Sequence, residues 1–204
     1  MLSLKDIHRN INKLTFLYTA LGAFDKAYDK DGRSWNKYIE WSKLTHLTEV
    51  VSLDKMLNEN LFEPDYDNPE DWNFIHTDGI YQTGFFTTAE YVLSKTKSTA
   101  RFNFLKLVLR PDQECKNIKV DDYEFMGYEL LDHEYGNSAL TNCGGFDETI
   151  SPMDLNSFGL IDDYEKACDI RKRLLENYAE EHHANTSIIA IWRHQAIGKL
   201  KNSE

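Results

Sequence analysis

The chain has 204 residues, 41% of them hydrophobic and 13% aromatic, with 4 prolines and 10 glycines, a profile that offsets the ordering entropy of one domain and leaves little chain for a second. Its 23 Lys and Arg stand against 34 Asp and Glu, a formal net charge of −11, and a surface of that sign repels phosphate backbones and anionic membranes, so no nucleic acid and no membrane is expected as a partner. Residues 51–150 carry the whole excess, 19 acids to 8 bases, which points to a basic partner.

In chain order, Leu4, Ile7, Ile11, Leu14, Leu17, Tyr18 and Leu21 recur at three- and four-residue steps; this predicts an amphipathic helix over residues 3–21, ended by Gly22. Lys5, Asp6, His8, Arg9 and Lys13 interrupt the same stretch, so it lacks the apolar core of a signal peptide. No run approaches the roughly 18 apolar residues of a membrane span, and a cytoplasmic protein is the expectation. DKDGRSW, residues 29–35, signals a turn, with a short helix or extended aromatic segment after it through Trp35, Tyr38, Ile39 and Trp41. HLTEVVSL, residues 46–53, reads as a strand, and two prolines among turn formers then predict a long acidic loop region over 54–79.

Thr87 and Glu90 have capping-box spacing for a helix near 88–97. RFNFLKLVL, residues 101–109, predicts a central strand stopped by Pro111, and Tyr123–Leu131 with Ser138–Asn142 predict a hairpin turning at Gly136 and Asn137, giving a sheet and hairpin over 101–142. Asp162 or Asp163 caps a helix over 162–178 whose apolar stripe is Tyr164, Ala167, Ile170, Leu174 and Leu175, with Arg171, Lys172 and Arg173 near its negative end. SIIAIW within 186–193 predicts a buried last strand. The order favours a single α+β domain, residues 1–204, with a mixed, mostly antiparallel sheet, an N-terminal amphipathic helix and a C-terminal helix–strand unit.

Three cysteines, Cys115, Cys143 and Cys168, without a CxxC pair, fit reduced thiols rather than a disulfide framework. Cys143 stands in TNCGG, with His133 across the hairpin and His182 and His183 further along. A catalytic thiol needs an imidazole to hold it as thiolate, so Cys143 with His133 or His183 is the candidate site of a cysteine-dependent hydrolase or transferase. The competing explanation is a strand end turning on Gly144 and Gly145, with the cysteine as core filling. Adjacent histidines diverge too far to chelate one ion, and DYDNPED lacks calcium-loop spacing, so no metal is expected. GxxxxGK[ST], GxGxxG and GxSxG are missing, and no cofactor is expected.

The densest chemistry is acidic and aromatic. Residues 59–74 hold Glu59, Glu63, Asp65, Asp67, Glu70 and Asp71 without a Lys or Arg, interleaved with Phe62, Tyr66, Trp72 and Phe74; residues 121–134 add Asp121, Asp122, Glu124, Glu129, Asp132 and Glu134. Carboxylates gathered without counter-charge repel one another until a cation relieves them, and rings beside them supply buried anchors. A face built on Glu63, Asp65, Tyr66, Asp67, Glu70, Asp71 and Trp72 is therefore the expected contact with a basic protein. A small acidic domain of this build resembles inhibitor and immunity proteins that block basic nucleases or other toxins, which implies a non-enzymatic role by occlusion. Oligomeric state is left open.

Overall fold

The computed structural model describes residues 15–25, 39, 43–55, 69, 79–80, 84–96, 102–141, 149–181 and 184–198. Their elements are β1 (Leu17–Gly22), β2 (Phe24–Asp25), β3 (Glu49–Val50), β4 (Gly79–Ile80), β5 (Phe85–Phe86), helix α1 (Ala89–Lys95), β6 (Phe102–Leu109), β7 (Tyr123–Asp132), a 3-10 turn (Pro152–Asp154), α2 (Tyr164–Asn177) and β8 (Thr186–His194). Six strands form one sheet in the order β4-β5-β1-β6-β8-β7, and β2 pairs with β3 in a second, two-stranded sheet. Every pairing between these strands is antiparallel, as expected for an α+β chain.

β8 owes its unbroken apolar run to burial on both sides. Ile188, Ala190 and Trp192 join a cluster with Ala167, Ile170 and Leu174 of α2, whereas Ile189 and Ile191 join Leu105, Leu107, Val51, Leu53 and Leu160 on the opposite face. Successive strand side chains point to opposite faces, so a strand covered twice reads as continuous rather than alternating. The same geometry explains the slip in the β6 pattern, where Leu105 and Leu107 serve one face and Phe104 and Val108 the other. Lys106, between them, lies over the rings of Phe16, Tyr18 and Tyr123 at 4.9, 5.5 and 4.3 Å, a cation–π arrangement that burial accompanies with a lowered ammonium pKa.

β7 follows β8 with one irregularity between Phe125 and Gly127. Met126 is the extra residue of this bulge, and Gly127 takes φ +136° there; a Cβ on it would lie 2.8 Å from Leu160 Cβ and 2.9 Å from the Ile161 carbonyl oxygen. Only glycine allows this close approach of the 160–161 segment, which pairs back onto β7 through Tyr128.

Several expectations need correction. Leu17, Tyr18 and Leu21 lie on strand β1, paired residue by residue with β6 from Leu17↔Leu107 to Gly22↔Phe102, so the helix expected over 3–21 does not reach its last turns; residues 3–14 lie outside the described residues. Pairing with a central strand outweighs a helical spacing that six residues also satisfy by accident. Within 46–53 only Glu49–Val50 is a strand. α1 starts after Thr88, whose side chain makes no capping hydrogen bond, one residue later than the Thr87–Glu90 spacing places the cap. The return arm of the expected hairpin is a single bridge, Leu131↔Ser138. α2 is capped by Asp163, whose carboxylate accepts from Lys166 N at 2.9 Å, but Arg171, Lys172 and Arg173 precede its last turn, which holds no base.

Candidate functional site

The sequence-derived site residues are mostly outside the described residues: Cys143 and His183 of the thiol site, and Glu63, Asp65, Tyr66, Asp67, Glu70, Asp71 and Trp72 of the acidic face. His133 is described, on an exposed turn directly after β7, 3.8 Å from Glu134. The two described cysteines are free thiols. Cys115 is buried, and desolvation with the charge of Glu114 pushes its thiol up to about 11, the reverse of activation. Among the described residues, no group of three or more His, Cys, Asp and Glu is gathered as for a metal ion.

The second acidic cluster is divided by burial. Asp121, Asp122, Glu124 and Glu134 are exposed, whereas Glu129 is 0% and Asp132 is 4% exposed. Asp132 accepts from Gly136 N and Asn137 Nδ2 at 2.8 and 2.7 Å, and these bonds hold its carboxyl below the usual range although burial opposes them. Glu129 Oε2 accepts from Leu53 N at 3.0 Å and Oε1 accepts from the Ser138 hydroxyl. Ser138 Oγ in turn accepts from Leu140 N and Thr141 N at 3.0 and 3.2 Å, and Asp54 accepts from Ser138 N at 2.9 Å. Complete desolvation pushes the Glu129 carboxyl up to about 7, against the pull of these hydrogen bonds. This network ties residues 52–54, β7 and 138–141 together, so both carboxylates act in architecture rather than at a partner's surface.

On the other side of the turn lies an open cleft of about 380 Å³ between the start of β8 and α2. Among the described residues its basic lining groups are Arg110, His133 and Arg171, with no carboxylate on the wall. Arg110 leaves β6 with φ +48°, in the left-handed region that non-glycine residues seldom occupy, and its backbone N bonds the Ile188 carbonyl at 2.9 Å. Its Nε donates to Ser187 Oγ at 3.1 Å and its guanidinium lies 5.7 Å from the Tyr135 ring. Arg171, from α2, donates from Nε to the Thr186 carbonyl at 2.7 Å. Two guanidiniums from distant parts of the sequence are thus fastened to neighbouring residues of one strand. The sequence shows no signal for this, because neither arginine belongs to a motif and only the crossing of α2 over β8 brings them together.

Comparison with protein-family models, with curated proteins and with solved structures found no match. No helix among the described residues is long and apolar enough to cross a membrane.

Proposed function

We propose that the chain is a non-enzymatic binding protein of the inhibitor or immunity type, cytoplasmic, which occludes a basic protein through an acidic and aromatic face built on residues 59–74. The observation that carries this reading is the run of Glu59, Glu63, Asp65, Asp67, Glu70 and Asp71 without one Lys or Arg, interleaved with four aromatic residues, in a chain of net charge −11. Such a segment is relieved of self-repulsion on meeting a cationic surface, and its rings supply the desolvated anchors on which affinity concentrates. The exposed Asp121, Asp122 and Glu124 add the same sign to the described surface. Glu129 and Asp132 do not contribute, being internal, so the second cluster is a smaller part of the face than residue counting implies.

The test is capture of cationic proteins from a host lysate by the natural chain and by a variant with Asp65, Asp67, Glu70 and Asp71 changed to Lys. The expected result is a basic protein retained by the natural chain, with an association rate that falls as salt rises, and lost by the variant. A complex indifferent to both salt and charge reversal overturns the electrostatic reading.

A further inference from the structure

We infer that the cleft between β8 and α2 binds a phosphate-bearing small molecule, gripped by Arg110 and Arg171. The first ground is electrostatic. In a chain with 34 acids and 23 bases, the described wall of this cleft carries Arg110, Arg171 and His133 and no acid, the reverse of the molecule's net sign. Field lines focus in such a recess and draw in a counter-ion.

The second ground is the way the two guanidiniums are held. Each is fixed through Nε, to Ser187 Oγ or to the Thr186 carbonyl, which sets its plane. Neither has a carboxylate partner among the described residues. The terminal nitrogens of both forks thus remain for an oxyanion, the geometry in which arginine binds bidentately. Two forks arriving from different elements suit the several terminal oxygens of a phosphate, where a planar carboxylate is served by one.

A third observation comes from the wall itself. Thr186, whose carbonyl anchors Arg171, is itself buried. Asn185 and Ser187 add amide and hydroxyl groups beside it. At about 380 Å³ the space is of the size that holds an organic ligand, more than a bare ion fills; the apolar wall of Pro111, Tyr164 and Ile188 suits the body of a phosphomonoester. Phosphate recognition in this chain rests on paired arginines.

The experiment is isothermal titration of the full chain with four probes: inorganic phosphate, adenosine monophosphate, adenosine and succinate. Phosphate and the monophosphate are expected to bind and adenosine not to; tighter binding of the monophosphate identifies an ester as the ligand, and equal binding identifies phosphate itself. Arg171→Gln is expected to weaken both at least about tenfold, and Arg171→Lys, which keeps the charge and loses the fork, by an intermediate factor. Arg110→Gln should match Arg171→Gln; because Arg110 also fixes a strained turn, thermal melts accompany it, and the two Arg171 variants decide the matter if it fails to fold. Absence of binding by either phosphate probe in the millimolar range overturns the proposal. Binding undiminished in Arg171→Gln, or succinate binding as tightly as the monophosphate, does the same.

Discussion

The fold treats its arginines in two ways. Arg193, on β8, is buried, and its Nη1 meets Glu49 Oε2 at 2.6 Å and Asn103 Oδ1 at 3.4 Å, while Asn103 Nδ2 donates to Glu49 Oε1 at 3.2 Å. That closed triad joins the two-stranded sheet to the main one through β3, β6 and β8. Arg110 and Arg171, at the other end of β8, are exposed, and among the described residues their side-chain hydrogen bonds run through Nε. A buried guanidinium is tolerated only with its charge and donors matched internally, whereas a solvated one can stay open for a ligand. One strand therefore carries an architectural cation at one end and a pair available for recognition at the other.

The largest effect is expected from breaking the architectural side. Glu49→Ala strands the Arg193 guanidinium in the interior, and loss of about 3–5 kcal/mol in urea unfolding is expected. Replacing both partners, Glu49→Leu with Arg193→Met, should recover a large part of that loss, since the charge left unpaired and not the missing attraction dominates it. Equal losses in the single and double variants would show that the triad matters for shape rather than charge.

Glu129 sharpens the comparison with a buried carboxylate that has hydroxyls and amides around it in place of an arginine. Its carboxyl is pushed up to about 7 from 4.5, so between these values the folded chain holds a proton that the unfolded chain releases. Its contribution to stability is complete below about pH 4.5 and is lost as pH rises through about 7, a span worth at most about 3 kcal/mol. Glu129→Gln cannot ionise and should flatten this slope, read as the difference between the two proteins' unfolding free energies across that window. Asp132 and Asp154, held below the usual range, act with the opposite sign, their contributions fading as pH falls, so they leave the window clear. A slope unchanged in Glu129→Gln would mean that Glu129 keeps its charge inside.

A smaller loss is expected at the start of α2. Tyr128 donates its hydroxyl hydrogen to Glu114 and accepts from the buried Cys115 N at 2.6 Å, while Glu114 also receives Tyr164 N at 3.2 Å. Tyr128→Phe orphans the Cys115 amide, for about 1–3 kcal/mol, and lets the Glu114 carboxyl, now held low, rise toward its ordinary value. Chemical denaturation together with carboxyl titration by NMR would read both changes.

These features differ in how visible they are in the sequence. β6, α2 and β8 were legible because Phe102–Leu109 and Ser187–Trp192 are apolar beyond what a loop tolerates, and Ala167, Ile170 and Leu174 keep helical spacing to the end. Leu17, Tyr18 and Leu21 misled, because their spacing also fits a helix and only the neighbouring β6 decides between them. Glu129 and Asp132 stand with Asp121 and Glu134 in one acidic window, which does not record that the last two flank β7 on exposed turns while the first two lie within the buried strand. The cleft was illegible, being made by residues that share no local pattern.

The smallest expected change in stability is also the one that most directly tests the division of the arginines. Arg171→Ala removes one anchor to the Thr186 carbonyl on an exposed helix face and no carboxylate contact among the described residues, so unfolding free energy should fall by about 1 kcal/mol or less. If the fold tolerates that loss, Arg171 is free to serve the ligand proposed for the cleft it lines. If Arg171→Ala instead unfolded the protein as severely as Glu49→Ala, Arg171 would belong with Arg193 among the architectural cations, and the contrast along β8 would collapse to a difference in exposure alone.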